Sequence, residues 1–576
     1  MIAMVPLERA PGRRPFRSPT GPEGGEEAGM MKRLRLLLLS MAILGILATA
    51  GWGEAPIPGG VLSYRLASSP LTLDPAQATD ESSLRGVNLI FETLVDYDSD
   101  ARQVTPLLAE TWETNADATV WTFHLRRGVR FHKTCGGEPT ANGGREVRAQ
   151  DVKYSLERLV RVRAPRVHFL DMINGYQDFA SSDVTGVNDW KGIKVLDDHT
   201  LRFDLAYPFA PFLAALAYDS CGVVPSEDAE KWGKDFGLHP VGTGPFAFKV
   251  WDSGVRLSLE KNPSYWMKDA QGHPLPYVDG VDLVIEPDDL LAYEGFKGGS
   301  IDILPGCPDE AYQEAKDTLG PLGLFQQRPG MGDVYWCFNL TKEPFKDNLK
   351  LRQALNYAID RRAISESVVK GRYCVAAGVL PPSVPGYNPR IRGYSFDLER
   401  ARSLMKEAGY DKGLALTVHI AANARQRAVA EAIQAQLAPL GIALHIQESS
   451  GAAHRTLVRQ GETALSWNSW MADYVDPDNF LHVLFHSTNH GSRGNYSRYA
   501  NPEVDRVLDE ARKEMNWGRR IALYRRAEQL ILDDAPWIFL YHYTTDIMYR
   551  DAVHGVKLAA LGEYKTKLTT TWKDPR

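Results

Sequence analysis

Cysteines and long apolar runs are scarce in this 576-residue sequence. Its five cysteines include no C-x-x-C pair, so the usual spacing of a zinc site is absent. No apolar run after residue 50 approaches the roughly 20 residues that a bilayer span needs. The chain also has no basic run, and its formal net charge of −6 argues against nucleic acid as a partner. These absences leave a soluble protein long enough for two or three domains.

The amino terminus has the features of a secretory signal peptide. Residues 31–50 begin with the basic segment Lys32-Arg33-Leu34-Arg35, continue as an apolar run and end in Ala48-Thr49-Ala50. We therefore predict a cleavable signal peptide, with an uncleaved membrane anchor as the alternative. Residues 1–30 are rich in Pro, Gly and Arg, and we interpret them as a non-native extension before a true start at Met30 or Met31.

The cysteine positions bear on the compartment and on disulfides. No cysteine lies in or just after the signal peptide, so there is no thiol for a lipoprotein anchor, and we expect a protein free in the periplasm. In an oxidising compartment we expect one or two disulfides and an odd thiol. The five cysteines are Cys135, Cys221, Cys307, Cys337 and Cys374.

Alternating apolar and polar residues predict strands along most of the chain. The pattern occurs at 59–66, 120–125, 200–205, 255–259 and 281–285. Between these strands the chain carries helix signals, among them a helix that opens near residue 151. The combination predicts a mixed α/β fold.

The clearest local unit lies between residues 397 and 447. Asp397 can cap a helix, and a strand at 414–420, a helix from about Arg425 and a strand at 442–446 follow it. Strand, helix and strand in this order indicate a βαβ crossover with parallel pairing.

Short segments recur along the chain in the order found in one known family. The strongest is Leu351-Arg352-Gln353-Ala354-Leu355-Asn356-Tyr357-Ala358-Ile359-Asp360-Arg361. Others are Phe91-Glu92-Thr93-Leu94-Val95, Val241-Gly242-Thr243-Gly244-Pro245-Phe246, Asn262-Pro263-Ser264-Tyr265-Trp266, Trp470-Met471-Ala472-Asp473 and Asp534-Ala535-Pro536-Trp537. Together they make the chain similar to the extracytoplasmic solute-binding proteins of the oligopeptide and dipeptide class, solute-binding family 5.

The resemblance implies an α/β fold of the two-lobed periplasmic-binding-protein type, type II-like, with mixed sheets, a hinge and an extra inserted subdomain. By analogy, lobe I would comprise residues 55–105, 241–333 and 546–576. The inserted subdomain would occupy 106–240, and lobe II would occupy 334–545. The lobes of such a protein close over a ligand and bury it.

The resemblance also implies which residues contact the ligand. Asp473 matches the family's acceptor of a peptide amino terminus, and the alternative is a loop Asp that bonds its own backbone. Met471 would offer backbone groups to the ligand. Trp467, Trp470 and Tyr474 are candidates for the wall of a side-chain pocket, and the alternative for each is core packing. No Arg, Lys or His identifies itself as the partner of the ligand's carboxylate.

Two nearby features receive structural interpretations. Asp476 precedes Pro477, so it fits a helix N-cap with proline at the first helical position. His482, His486 and His490 recur at a spacing of four, which can bind metal on a helix. Because apolar residues fall on the opposite face, we interpret the histidines as the water-facing side of an amphipathic helix, and we predict no metal and no cofactor.

The function that this resemblance implies is carriage rather than catalysis. We expect a monomeric solute-binding subunit of an ABC importer that captures short peptides and delivers them to the permease and ATPase subunits. The alternative is that the same fold carries an oligosaccharide, a nickel complex or another small solute. A secreted hydrolase is the rival from another class, but the chain lacks G-x-S-x-G and H-E-x-x-H.

Overall fold

The structure is a computed structural model that describes residues 56–165, 167–181 and 188–575. The predicted extension 1–30 and signal peptide 31–50 lie outside the described residues. The helices, in chain order, are α1 Glu81–Ile90, α2 Ala149–Arg161, α3 Tyr176–Ala180, α4 Phe212–Leu216, α5 Ser226–Trp232, α6 Asp289–Gly298, α7 Tyr312–Leu319, α8 Leu349–Tyr357, α9 Arg361–Ser367, α10 Leu398–Glu407, α11 Ala424–Leu437, α12 Gly451–Gln460, α13 Asp478–Phe485, α14 Pro502–Lys513 and α15 Trp517–Asp534. None of these described helices has the length and apolar composition of a membrane span.

The strands alternate with these helices along the chain, as the α/β prediction requires. They are β1 Val61–Leu66, β2 Val95–Tyr97, β3 Val104–Pro106, β4 Ala109–Thr114, β5 Val120–Leu125, β6 Thr134–Cys135, β7 Glu138–Pro139, β8 Ile193–Asp197, β9 Thr200–Asp204, β10 Phe246–Asp252, β11 Arg256–Lys261, β12 Gly280–Ile285, β13 Ile303–Pro305, β14 Phe325–Phe338, β15 Cys374–Val375, β16 Leu414–Ala421, β17 Ile442–Ser449, β18 Leu465–Met471, β19 Trp537–Tyr549, β20 Val553–His554 and β21 Trp572–Lys573. The strand predicted at 120–125 therefore has the predicted bounds, and the other predicted strands are correct to within about two residues at most ends.

One large mixed sheet organises the described chain. Its strand order is β10-β11-β12-β1-β13-β19-β14-β18-β16-β17, and β15 pairs with β19. Strands β1 and β12 run parallel, as do β16 and β17, while β13, β19, β14 and β18 pair antiparallel. The parallel pair β16 and β17, joined by α11, confirms the predicted βαβ crossover.

The long strands β14 and β19 join the half of this sheet that contains β1 to the half that contains β16. Near the carboxyl end of β19, Ile547 to Tyr549 pair with β13, whereas β18 pairs with β14 from Gly332 onward. The pairing of β14 with β19 is interrupted between Pro329 and Asp333, where the register shifts. Irregular pairing at this point lets the two halves take different directions. The mixed α/β, two-lobed fold class is therefore confirmed, while the predicted domain boundaries stay a prediction.

A separate four-stranded antiparallel sheet, β4-β5-β9-β8, lies within the range predicted for the inserted subdomain. Its core is aromatic, since the Phe123 and Phe203 rings meet edge to face with centroids 5.5 Å apart. Phe169 from the same region also packs edge to face against Tyr474, at 5.4 Å. The inserted region thus contacts the segment on which the site prediction depends.

The expectation of disulfides is wrong for this structure. All five cysteines lie among the described residues, and each is a free thiol. Each occupies a different part of the fold: Cys135 lies on β6, Cys221 follows α4, Cys307 follows β13, Cys337 lies on β14 and Cys374 lies on β15. Burial raises the pKa of the Cys135, Cys221 and Cys307 thiols to about 12, so these side chains stay protonated and behave as small apolar groups.

Candidate ligand-binding cleft

A cavity of about 690 Å³ lies where the two halves of the large sheet meet. Its walls include Tyr64 on β1, Arg85 on α1, Ser469 on β18 and Tyr543 on β19. Gly330 and Met331, from the interrupted stretch of β14, complete its floor. The volume falls within the roughly 300 to 1,000 Å³ that is typical of small-ligand sites.

Asp473 lies at this cavity because two elements fix the backbone on either side of it. Strand β18 ends at Met471, and the next residue, Ala472, donates its N–H to the Met331 carbonyl at 2.8 Å. The Asp473 N–H then donates to Asn479 Oδ1 at 3.1 Å. Trp470 Nε1 donates to the same oxygen at 3.0 Å. Asn479 therefore holds both the loop backbone and the indole ring that flank the carboxylate.

Asn479 is a residue that sequence reasoning missed. It lies in the first turn of α13 with 0% of its surface exposed. A buried amide oxygen that accepts two hydrogen bonds is difficult to replace, because each donor left without an acceptor costs roughly 1–3 kcal/mol. The D-P-D-N sequence before an apolar run gave the only local signal, since it marks a helix start.

Asp476 has the structural role that the sequence predicted, although the helix begins one residue later than expected. Its Oδ1 accepts the N–H of Asp478 at 2.9 Å, and its other oxygen pairs with Arg520. Helix α13 starts at Asp478, so Pro477 occupies the cap rather than the first helical position. The buried Asp476–Arg520 ion pair fixes the start of α13, and hence the position of Asn479.

Of the five residues predicted to contact ligand, three line the cavity, namely Trp470, Met471 and Asp473. Trp467 is 7% exposed within a buried hydrophobic cluster, and its carbonyl lies 2.8 Å from His454 Nε2. Tyr474 is 4% exposed and donates its hydroxyl proton to Asp478. The ligand-binding roles of all five stay predictions, and for Trp467 and Tyr474 the geometry favours the core-packing alternative.

Arg85 is a second cavity residue that the sequence did not reveal. It is 1% exposed, and its Nη1 donates to the carbonyls of Tyr564 at 3.1 Å and Thr566 at 2.7 Å. Its Nε and Nη2 have no hydrogen-bond partner among the described residues, and its guanidinium carbon lies 4.3 Å from the centre of the Tyr64 ring. Burial lowers the pKa of this guanidinium. A buried cation with unused donors is therefore part of the cavity wall.

The remaining charge at the cavity is acidic. Burial, together with the neighbouring Glu81 carboxylate, raises the pKa of Glu563 to about 7. Burial also raises the pKa of Glu81, and both residues line the cavity together with Asp473. Arg65 lines it as well, but its charge is matched by Asp289 at 2.6 Å. A positively charged ligand group would relieve the repulsion among these acids.

The edge of β18 offers backbone groups beside the cavity. Strand β14 pairs with the whole of β18 on one side. On the other side, β16 pairs only with Leu465 and Ser466, and no other described strand covers the stretch that ends at Met471. An uncovered strand edge can accept an extended chain as an additional strand.

The water-facing interpretation of the α13 histidines is wrong. His482 and His486 are each 7% exposed, because α14 packs over this face and Arg512 lies against His482. Apolar residues on the other face are buried too, so α13 is enclosed on both sides. Only His490, which lies beyond the helix, is exposed as expected.

Comparisons with known proteins find relatives over most of this chain. Residues 103–492 match the family model described as bacterial extracellular solute-binding proteins, family 5 middle. Heme-binding protein A of Haemophilus influenzae is 33% identical over 83% of this chain and 86% of its own length. The dipeptide-binding protein of Escherichia coli is 29% identical over 92% and 98%. The structure of the periplasmic binding protein DppA from Helicobacter pylori in complex with the peptide STSA superposes with a TM-score of 0.72, at 28% identity over 90% of this chain and 99% of that one.

Proposed function

The chain belongs to family 5 of the bacterial extracellular solute-binding proteins, and we propose that it captures short peptides between its lobes for an ABC importer. Of the three relatives described above, one is named a dipeptide-binding protein and another was solved in complex with a peptide. The observation that carries the proposal is the placement of an acidic carboxylate, Asp473, on one wall of the cavity and a buried cation, Arg85, on another. A peptide with free termini has the complementary charges.

The amino terminus of the peptide would meet the acidic part of the cavity. Asp473 is held by Asn479 so that its side chain emerges at the cavity wall, where Glu81 and Glu563 add to the negative potential. A charge-assisted hydrogen bond from an ammonium group to a carboxylate contributes roughly 1.5–3 kcal/mol, about twice a neutral bond. Loss of that bond would weaken binding by a factor of about 10 to 150.

The carboxylate of the peptide would pair with Arg85. Burying a guanidinium with unused donors is costly, and a ligand carboxylate would supply the missing acceptors. Arg85 also holds the loop at Tyr564 through backbone carbonyls, so a change of the ligand tests this step more cleanly than a change of the residue. Amidation of the peptide carboxyl group should therefore weaken binding.

Between the termini, the peptide backbone would pair with the uncovered edge of β18. Backbone pairing does not read side chains, so it suits a carrier that accepts many sequences. Met471, at the end of this edge, is 46% exposed. Trp470 and the cavity tyrosines Tyr496 and Tyr543 provide flat apolar walls for varied side chains.

We infer from the same arrangement that the protein acts without catalysis and in the periplasm. The cavity groups described above recognise the two termini of a peptide, and none of them forms a nucleophile and base pair aimed at a peptide bond. Membership of an extracellular family supports export through the predicted signal peptide, and the membrane permease and ATPase subunits are then the partners. A peptide recovered intact after incubation supports this part of the proposal, and cleavage contradicts it.

Haem is the second candidate cargo, because heme-binding protein A is 33% identical to this chain. Methionine and tyrosine are known axial ligands of haem iron, and Met331, Met471 and Tyr543 line the cavity. A Soret absorbance band that appears on titration with haemin, and that disappears in Met471→Ala, would favour this candidate over peptides.

The direct test is calorimetric titration with a dipeptide and with its N-acetylated and C-amidated forms. We expect Asp473→Asn to weaken binding of the free dipeptide by about 10- to 150-fold. N-acetylation should weaken binding to the wild type and have little further effect on Asp473→Asn, because the same interaction has already been lost. Asp411→Asn, at an exposed loop position outside the cavity, is the matched control and should bind normally. Equal affinity of Asp473→Asn and wild type for the free dipeptide would refute the assignment.

A further inference from the structure

Two buried histidines, His482 on α13 and His486 directly after it, point toward one carboxylate on the neighbouring helix α14. His482 and His486 lie one turn apart, and their rings stack with centroids 4.4 Å apart and an interplanar angle of 19°. His486 Nε2 lies 3.5 Å from Asp509 Oδ1, and His482 Nε2 lies 3.9 Å from the same atom. One ligand atom from each of the three residues falls within 4.8 Å of the other two.

These separations are close to those of a metal site. Zinc binds imidazole nitrogen and carboxylate oxygen at about 2.0–2.2 Å, so donor atoms in a tetrahedral site lie roughly 3.3–3.5 Å apart. The His486–Asp509 separation already has this value. The other separations need shifts below about 1.5 Å, and the Asp509 side chain, which is 55% exposed, can supply them.

A second observation concerns His486 Nε2. This atom is buried and has no hydrogen-bond partner in the described chain. Leaving a buried polar atom without a partner costs roughly 1–3 kcal/mol, so the arrangement is incomplete without an additional group. On the other side of the ring, Nδ1 lies 2.8 Å from Thr488 Oγ1. The Thr488 N–H also donates to Nδ1, at 3.3 Å, so metal binding at Nε2 requires the ring proton to move to Nδ1, where the Thr488 hydroxyl can accept it in place of that contact.

The tautomer of His482 is fixed by Arg512. Arg512 Nη1 lies 3.2 Å from His482 Nε2, and arginine can only donate, so Nε2 carries a lone pair. A metal ion must displace this one hydrogen bond. Arg512 would keep its pairing with Asp478, where Nε lies 3.1 Å from Oδ1. The positive charge of Arg512 opposes a cation, while the carboxylates of Asp505 and Asp509 on α14 favour one.

We propose that His482, His486 and Asp509 form a binding site for a divalent transition metal ion of the zinc and nickel type. Two neutral imidazoles and one carboxylate are a donor set that these ions accept, and the exposed side of Asp509 leaves a further position open to water. The site is independent of the proposed peptide cleft, because none of its three ligands lines that cavity. A bound ion would join α13 to α14 and so stabilise the helix that positions Asn479.

The test is calorimetric titration of the full, tag-free protein with zinc chloride and nickel chloride after removal of metal with EDTA. We expect one ion per chain and a metal-dependent rise in melting temperature. Asp509→Asn should weaken binding at least about tenfold, because the site loses its charged ligand. Glu510→Gln, at the adjacent exposed position, and His490→Ala, outside the cluster, are matched controls and should bind the ion normally.

Asp509 is exposed, so its substitution tests the site without disturbing the core. His486→Ala should also abolish binding, and circular dichroism verifies that this variant is folded. Substitution with cobalt adds a spectroscopic readout, because visible absorbance of the tetrahedral type is expected for the wild type and not for Asp509→Asn. Absence of saturable binding for both ions, or equal binding by wild type, Asp509→Asn and His486→Ala, would overturn the proposal. Dipeptide binding should be unchanged in Asp509→Asn, so failure of the metal site and failure of the proposed function are distinguishable.

Discussion

Glu528 lies on α15 with 1% of its surface exposed, and its two carboxylate oxygens have different surroundings. Oε1 accepts the N–H groups of Val379 and Leu380, each at 2.9 Å, whereas Oε2 has no partner among the described residues. Burial raises the pKa of this carboxyl group from 4.5 to about 7, although the two N–H groups oppose the rise. Glu528 is therefore a carboxyl group that the fold holds in its neutral form at mildly acidic pH.

The sign of the resulting pH dependence follows from the direction of this change. Because the pKa in the folded state exceeds that in the unfolded state, the stabilising contribution is fully present below pH 4.5 and is lost as pH rises through about 7. One pKa unit corresponds to about 1.4 kcal/mol, so the loss amounts to about 3 kcal/mol of unfolding free energy by pH 8.5. Such a loss is a large fraction of the roughly 5–15 kcal/mol that stabilises a folded protein.

Glu528→Gln removes the charge and retains the acceptor for both N–H groups. The variant should match the wild type at pH 4.5 and exceed its free energy of unfolding by up to about 3 kcal/mol at pH 8.5. Urea denaturation at a series of pH values measures this difference. Glu510→Gln, at an exposed position, is the control and should show no growing difference. A difference between Glu528→Gln and wild type that is constant with pH, or that falls as pH rises, would refute the reasoning.

Three further predictions concern the cleft and the thiols. A Cβ at Gly332 would lie 2.3 Å from Met471 Sδ and 2.7 Å from the Trp470 carbonyl, so Gly332→Ala should lower the melting temperature and weaken ligand binding. Gly298 has open space around it, and Gly298→Ala should change neither property. Asn479→Ala leaves two donors without an acceptor and should cost about 2–4 kcal/mol in urea denaturation, with weaker peptide binding. A thiol assay on the denatured protein without reductant should find all five cysteines free, and a count of three or one would contradict the structure.

Much of the fold could be predicted from local sequence, because the signals that shape it are local. The unit of β16, α11 and β17 follows from apolar periodicity and from turn residues, and its parallel pairing follows from the order of its elements. The disulfide expectation failed because it rested on the compartment alone, whereas pairing requires two thiols at one place in the fold.

The site was predictable only in part. Asp473 was predicted through the motif around it and lines the cavity, although its role stays a prediction. Trp467 and Trp470 were treated alike, although they are three residues apart on β18. Side chains at odd spacing on a strand face opposite sides, so the sequence already held the signal that separates these two tryptophans. Arg85 had no such signal, because its hydrogen-bond partners Tyr564 and Thr566 lie 479 and 481 residues away.

The burial of His482 and His486 could not be predicted from the local sequence either. The spacing of four correctly placed both residues on one helical face. Whether that face meets water or another helix is decided by α14, which begins at Pro502 and is separated from α13 by a loop. Periodicity describes a face, and only the tertiary fold determines what covers it.

The central claim is that the cleft holds short peptides, and native mass spectrometry of the protein as purified tests it most directly. Gentle activation in the instrument releases whatever the cleft has retained, so that the mass of the ligand is read without prior choice of a probe. The account predicts a set of peptides with free termini, retained by the wild type and depleted in Asp473→Asn. Release of haem, a sugar or a metal complex in place of peptides, or peptides retained equally by both proteins, would contradict it.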